Sequence, residues 1–137
     1  MKAISLKQPY ATWVANGSKT IETRKWTTEY RGRLLIVSSK NPDLLQSFPT
    51  LEEQLDQFPL GYALATVELV DCRPMTKSDE LAALCEIYPK AHAWILEDPK
   101  TFHPFKVKGA LSIFEVEVPD DLDPETKAIL SQESLYR

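Results

Sequence analysis

Short runs rich in β-branched and apolar residues recur along this chain, and no helix long enough for a regular crossover separates them. They fall at residues 2–5, 20–26, 33–38, 62–71, 93–97, 102–107 and 111–118, and supply about six strands. Parallel doubly wound sheets need strands that alternate with long helices, so that architecture is disfavoured. The pattern predicts an α+β fold, a small mixed or antiparallel β-barrel with short helices at its ends. A chain of 137 residues fits one domain, 1–137, with its core at about 2–118. Residues 119–137 form a C-terminal extension carrying a short helix. At this size about 70% of the unfolded surface is buried on folding, so no disulfide or metal staple is needed.

Helix signals are local and specific. Pro9 suits a first helical position and Gly17 a C′ position, while Tyr10, Trp13 and Val14 make an apolar face between them. Thr50 and Glu53 have capping-box spacing ahead of Leu55 and Phe58. Thr76 or Ser78 is placed to cap a helix whose Leu81, Leu84, Cys85 and Tyr88 share one face before Pro89. Asp123 and Pro124 are placed to cap the last helix, with Ile129 and Leu130 as its stripe.

Several function classes lack support. Cys72 and Cys85 form no Cys-x-x-Cys pair, and His92 and His103 lie eleven apart with no third ligand, so no metal and no cofactor is expected. Lys7 and Pro9 interrupt any N-terminal apolar segment, and no 18-residue apolar run occurs, which predicts a cytoplasmic chain with no membrane partner. No phosphate-cradling glycine loop or nucleophile elbow is present. The net charge of −4 argues against coating nucleic acid by electrostatics alone. That average hides an asymmetry. Residues 1–40 carry eight Lys or Arg against Glu22 and Glu29, a surplus of six, so the remainder carries −10. A face that attracts anions follows if the fold gathers those cations; otherwise they solvate strand edges.

The densest chemistry lies where the first helix gives way to a strand, in Gly17-Ser18-Lys19-Thr20-Ile21-Glu22-Thr23-Arg24. In an extended strand Glu22 and Arg24 share one face, Trp26 continues it, and Ile21 and Thr23 share the other. Arg24 offers bidentate donors to phosphate or carbonyl oxygens, and Lys19 offers a point charge. Glu22 can accept from an exocyclic amino group. The plainer alternative is a Glu22 to Arg24 pair on an exposed strand face. Trp13 and Trp94 read as core, and Trp26 as the best base-stacking candidate.

The spacing Gly17, Lys19, Glu22, Arg24 resembles the Gly-x-Lys-x-x-Glu-x-Arg signature of the ASCH domain, a branch of the PUA-like β-barrel superfamily. Ser5 to Tyr10 is similar to the approach to the first helix in the branch containing the endothelial lipopolysaccharide-associated proteins. Tyr30-Arg31-Gly32, Ser38-Ser39-Lys40 and Val107-Lys108-Gly109 follow in the expected order. The resemblance implies a PUA-like barrel with a basic cleft beside the first helix, in a superfamily whose members commonly handle RNA or modified nucleotides. Lys19, Glu22 and Arg24 would line the cleft, with Lys7, Gln8, Ser39 and Lys40 completing its wall. The expected partner is RNA or a nucleoside-type small molecule.

One group of small bacterial ASCH proteins hydrolyses N4-acetylcytidine with a lysine and a threonine three positions later. Here Lys19 is present, but Glu22 stands at the nucleophile position, so that mechanism does not carry over intact. Binding is therefore the first expectation. The alternative is an amidohydrolase or nuclease with Lys19 and Glu22 as its catalytic pair. A further alternative is a protein interaction module using the acidic segment from Asp43 to Asp56.

Overall fold

A computed structural model describes residues 1–48 and 56–134. Its elements are β1 (Lys2–Leu6), α1 (Tyr10–Ala15), β2 (Ile21–Arg24), β3 (Gly32–Ser38), α2 (Asp43–Gln46), β4 (Tyr62–Pro74), a 3₁₀ turn (Lys77–Asp79), α3 (Glu80–Ala83), β5 (His92–Lys106), β6 (Ile113–Glu115) and α4 (Pro124–Leu130). The strands form one mixed sheet in the order β2-β5-β4-β3-β1-β6. Only β1 and β3 pair in parallel; every other pair is antiparallel. The sheet curls into a half-barrel, and the Arg24 guanidinium of β2 reaches back to the Ser5 carbonyl of β1. This is the α+β barrel that the strand pattern predicts.

The apolar run of β3 is continuous because both of its faces are buried. Leu34 and Ile36 point into the barrel with Ile4, Leu6, Leu64, Val67, Leu69 and Trp94. Leu35 and Val37 pack outside with Ala3, Ala63, Phe105 and Val116. Each fully buried side chain of this kind contributes about 1.5 to 3 kcal/mol. Helix α1 plugs the interior through Ala11, Val14 and Ala15. Leu122 and Leu130 pack against the outer cluster, and Arg33 donates to the Ile129 carbonyl at 2.7 Å, fastening the end of α4.

Four expectations are corrected. The helix expected to run past Thr76 toward Tyr88 is only a 3₁₀ turn and the four residues of α3. Leu84 adopts the left-handed conformation (φ 55°, ψ 31°) and ends it, leaving Leu81 87% exposed. The runs 93–97 and 102–107 are one strand, β5, carried past Asp98 and Pro99 by register shifts against β4. Local turn residues therefore bend this strand rather than break it. The last strand shrinks from 111–118 to the three residues of β6, after Ser112 at φ 56°. Strand β2 stops at Arg24, so Trp26 lies beyond it. The helix expected between Thr50 and Phe58 lies mostly on residues 49–55, outside the described residues, while α2 at 43–46 was not among the expected helices.

Candidate functional site

Gly17 explains the first spacing of the motif. Its φ of +84°, a conformation that favours glycine, turns the chain at the end of α1. The Lys19 amide then bonds the Trp13 carbonyl at 2.9 Å. The Thr20 amide donates to Ala82, and the Thr20 carbonyl accepts from Leu96, both at 3.0 Å. These bonds fix the start of β2 between the α3 loop and β5, with the Lys19 side chain directed inward.

Lys19 is 1% exposed. Its ammonium donates to the Ala83 carbonyl, stands 3.6 Å from Glu22 Oε1 and sits 4.7 Å from the centre of the Tyr10 ring. Burial pushes its pKa down from the ordinary 10.5, against the opposing pull of Glu22 and Cys85. Burial likewise raises the Tyr10 hydroxyl above 10.0, helped by Cys85 and Glu22. The carbonyl that Lys19 takes belongs to the last residue of α3, which ties the ammonium to that short helix.

Glu22 is 8% exposed and held between two cations. Its Oε2 lies 3.1 Å from Arg24 Nη2, and its Oε1 accepts from the Thr23 amide at 3.1 Å. Arg24 Nη2 also donates to the Ser5 carbonyl at 2.9 Å, and the guanidinium lies 5.9 Å from the Trp26 ring centre. The Glu22 to Arg24 pair thus exists, but as part of a covered cluster rather than on an open strand face. Arg24 Nε is buried with no hydrogen-bond partner, the only such side-chain atom among the described residues. A donor in that state invites an acceptor.

The remaining candidates separate. Trp26 is half-buried and packs edge-on against Trp94 at 4.8 Å between centres, while Trp94 itself is core. Gln8 is fully buried, and its amide is spent on α1 and the chain beside it. It bonds Thr12 Oγ1 at 2.8 Å, the Pro59 carbonyl at 3.0 Å and the Thr12 amide at 2.9 Å. Lys7 and Lys40 are exposed, and Ser39 bonds the Leu6 carbonyl through its amide and the Asn41 amide through its hydroxyl. The cations of the first third accordingly split. Lys19 and Arg24 enter the cluster, Lys2 pairs with Glu115, and Arg31 lies 3.6 Å from Asp71. Tyr10, Ser5 and the Ala83 carbonyl complete the cluster. Nothing in sequence marks a backbone carbonyl, and Tyr10 reads simply as helix apolar face. Among the described residues no group of three or more His, Cys, Asp or Glu is placed to hold a metal, and no helix is long and apolar enough to cross a membrane.

Comparison with known proteins is consistent on the fold. The ASCH domain matches residues 4–106. Activating signal cointegrator 1 of Mus musculus is 26% identical over 127 residues, covering 83% of this chain and 22% of that protein. The Homo sapiens protein of the same name is 31% identical over 80 residues, covering 50% of this chain and 14% of its own length. The chain therefore spans about a fifth or less of these relatives. The solved structure of ASCH from Zymomonas mobilis superposes with a TM-score of 0.63 at 15% identity, covering 97% of this chain and 95% of the other. A single-site mutant of that protein gives 0.59 at 15% identity. At such identity the likeness is one of fold.

Proposed function

The chain belongs to the ASCH domain family, and from that footing we propose that it binds RNA or a modified nucleoside at the Lys19, Glu22 and Arg24 cluster. The observation that carries this reading is the Arg24 guanidinium. One nitrogen is anchored to Ser5 and Glu22, while the buried Nε has no acceptor among the described residues. Leaving such a donor unpaired costs about 1 to 3 kcal/mol, which a ligand carbonyl or phosphate oxygen would remove. The same guanidinium stands near Trp26, so a base has an aromatic neighbour at hand. The cleft comprises Lys19, Glu22, Arg24 and Trp26. Gln8 is left out because its amide is engaged. Residues 1–137 act as one domain, in the cytoplasm.

A hydrolytic reading has one observation in its favour: Lys19 is buried with its pKa pushed down, as in sites that use a lysine as base or nucleophile. Glu22 argues the other way, since both carboxylate oxygens are already engaged by Lys19, Arg24 and the Thr23 amide. Calorimetry with cytidine, N4-acetylcytidine and a short single-stranded RNA, on wild type and Arg24→Gln, tests the binding reading. Affinity should fall tenfold or more in the variant, about 1.4 kcal/mol. Unchanged affinity would refute the reading, and turnover of N4-acetylcytidine abolished by Glu22→Gln would replace it with hydrolysis.

A further inference from the structure

Four lysines meet at one end of the barrel without belonging to the cluster. Strands β1 and β3 run parallel, and β4 and β5 each reverse direction in turn. The carboxyl ends of β1, β3 and β5 therefore lie together beside the start of β4. Those ends carry Lys7, Lys40, Lys106 and Lys108. A cavity of about 430 Å³ opens there, lined by Lys40, Lys106, Lys108, Tyr62 and Gly61, with no acidic residue in its wall. Among the described residues no ion pair engages Lys40, Lys106 or Lys108. Three unpaired cations around one hollow repel one another, and an anion relieves that repulsion.

The lysines are also positioned. Lys40 lies along Gly61, where a Cβ would stand 3.0 Å from its Cγ and 3.1 Å from its Cε. Gly61 has φ +81°, bonds the Ser38 carbonyl through its amide and receives the Val107 amide at its own carbonyl. A second cavity, about 260 Å³, shares Lys106 and Lys108 but is bordered by Glu115 and Glu117. Glu115 is occupied by Lys2 and the N-terminal ammonium. The acidic border confines an anion to the Lys40 side.

Ser5 joins this end to the Arg24 cleft. Its carbonyl receives Arg24, and its hydroxyl packs so closely on Gly109, next to Lys108, that a Cβ there would lie 2.9 Å away. Lysines gathered around an aromatic residue, Tyr62, with Ser5 touching both Arg24 and the Lys108 segment, match the way single strands are held. We propose that Lys40, Lys106 and Lys108 form a phosphodiester track for a single RNA strand leaving the Arg24 cleft, so that the ligand is a polymer rather than a free nucleoside. This rests on the reading that the cleft takes a nucleic-acid component.

Fluorescence anisotropy with labelled single-stranded RNA of two, four and eight nucleotides tests it, alongside calorimetry with the free nucleoside. Wild-type affinity should rise with length. The triple variant Lys40→Gln, Lys106→Gln, Lys108→Gln should lose that rise, and its slope of log K against log salt should be shallower by about 2, at roughly 0.7 per lost contact. The advantage of wild type should then shrink about 20-fold between 50 and 200 mM salt. The corresponding triple arginine variant should restore both, which separates charge from folding. An unchanged slope and length dependence in the glutamine variant would overturn the track while leaving the cleft intact. If wild type binds neither nucleoside nor RNA, both proposals fall. Displacement of the RNA by polyglutamate as effectively as by unlabelled RNA would assign the groove to an acidic peptide instead.

Discussion

Replacing Glu22 by glutamine removes the only carboxylate between two cations while barely altering shape. Lys19 would keep the Ala83 carbonyl and the Tyr10 ring but lose its counter-charge at 3.6 Å, and Arg24 would lose its partner at 3.1 Å. Removing one member of a buried ion pair costs about 3 to 5 kcal/mol, because the charge left behind is uncompensated. Lys19, at 1% exposure, is the group left uncompensated. For a domain of this size, the midpoint of thermal unfolding should drop by roughly 10 °C or more at about 3 °C per kcal/mol. Lys19→Met in the same background should recover part of the loss, since it removes the stranded charge and conserves volume. It leaves the Ala83 carbonyl without its donor, at about 1 to 3 kcal/mol, so recovery should be incomplete. Urea denaturation of wild type, both single variants and the double variant at pH 7 measures the coupling. A Glu22→Gln loss below about 1 kcal/mol, or a double variant no better than Glu22→Gln, would refute the account of a buried cluster held by one carboxylate.

Two further measurements probe the same neighbourhood. Burial lowers the folded-state pKa of Lys19 below the 10.5 of the unfolded chain, so between those values the unfolded chain holds a proton that the folded chain has released. Stability of wild type relative to Lys19→Met should therefore rise with pH through that window and level off above 10.5, as followed by denaturant midpoints; a flat difference would contradict it. Beside the α3 loop, Arg73 grips Asp79 with bonds of 2.7 and 2.9 Å, and Asp79 in turn receives the Thr76 amide at 2.8 Å. Arg73 therefore holds the Asp79 carboxyl well below the usual 3.8, so its contribution is present above that value and lost as pH falls beneath it. Asp79→Asn keeps an acceptor for the Thr76 amide but loses the charge-assisted pair with Arg73, so it should cost about 1 kcal/mol at pH 7 and should lose less than wild type on acidification.

The parts of the fold legible in sequence are those set by local chemistry. Pro9 and Gly17 bracket α1 because each suits one special backbone position, and the apolar run of β3 announces a strand buried on both faces. The cluster was legible as a spacing, since Glu22 and Arg24 do lie together beside Lys19. Its burial was not, because that depends on the α3 loop folding over Lys19 and giving it a carbonyl from 64 positions away. The same loop departs from its helical periodicity. The periodicity through Leu81, Leu84 and Cys85 is helical, yet Leu84 takes a left-handed conformation and only Ala83 becomes core. In β5, Asp98 and Pro99 look like a break when read locally, but the long pairing with β4 absorbs them as a bend. Lys40 and Lys108 are legible as members of two separate short segments, but their meeting with Lys106 is not, because strand direction alone brings the three together.

The Arg24 guanidinium serves the barrel and the proposed site at once. Strands β1 and β2 stand four places apart in the sheet order and share no ladder, so a side chain rather than strand hydrogen bonds ties them across the opening. That tie ends on the Ser5 carbonyl, and the Ser5 hydroxyl is the surface on which Gly109 and the lysine end of β5 rest. A ligand oxygen arriving at Arg24 Nε engages the same planar fork that holds β1, because the guanidinium donors cannot move independently. Ser5 thus touches the guanidinium through its carbonyl and the Lys108 segment through its hydroxyl. For the proposed ligand, comparing RNA affinity of Arg24→Gln, Lys108→Gln and the double variant tests coupling through Ser5: losses that do not add are expected, and additive losses would show that the two places act independently.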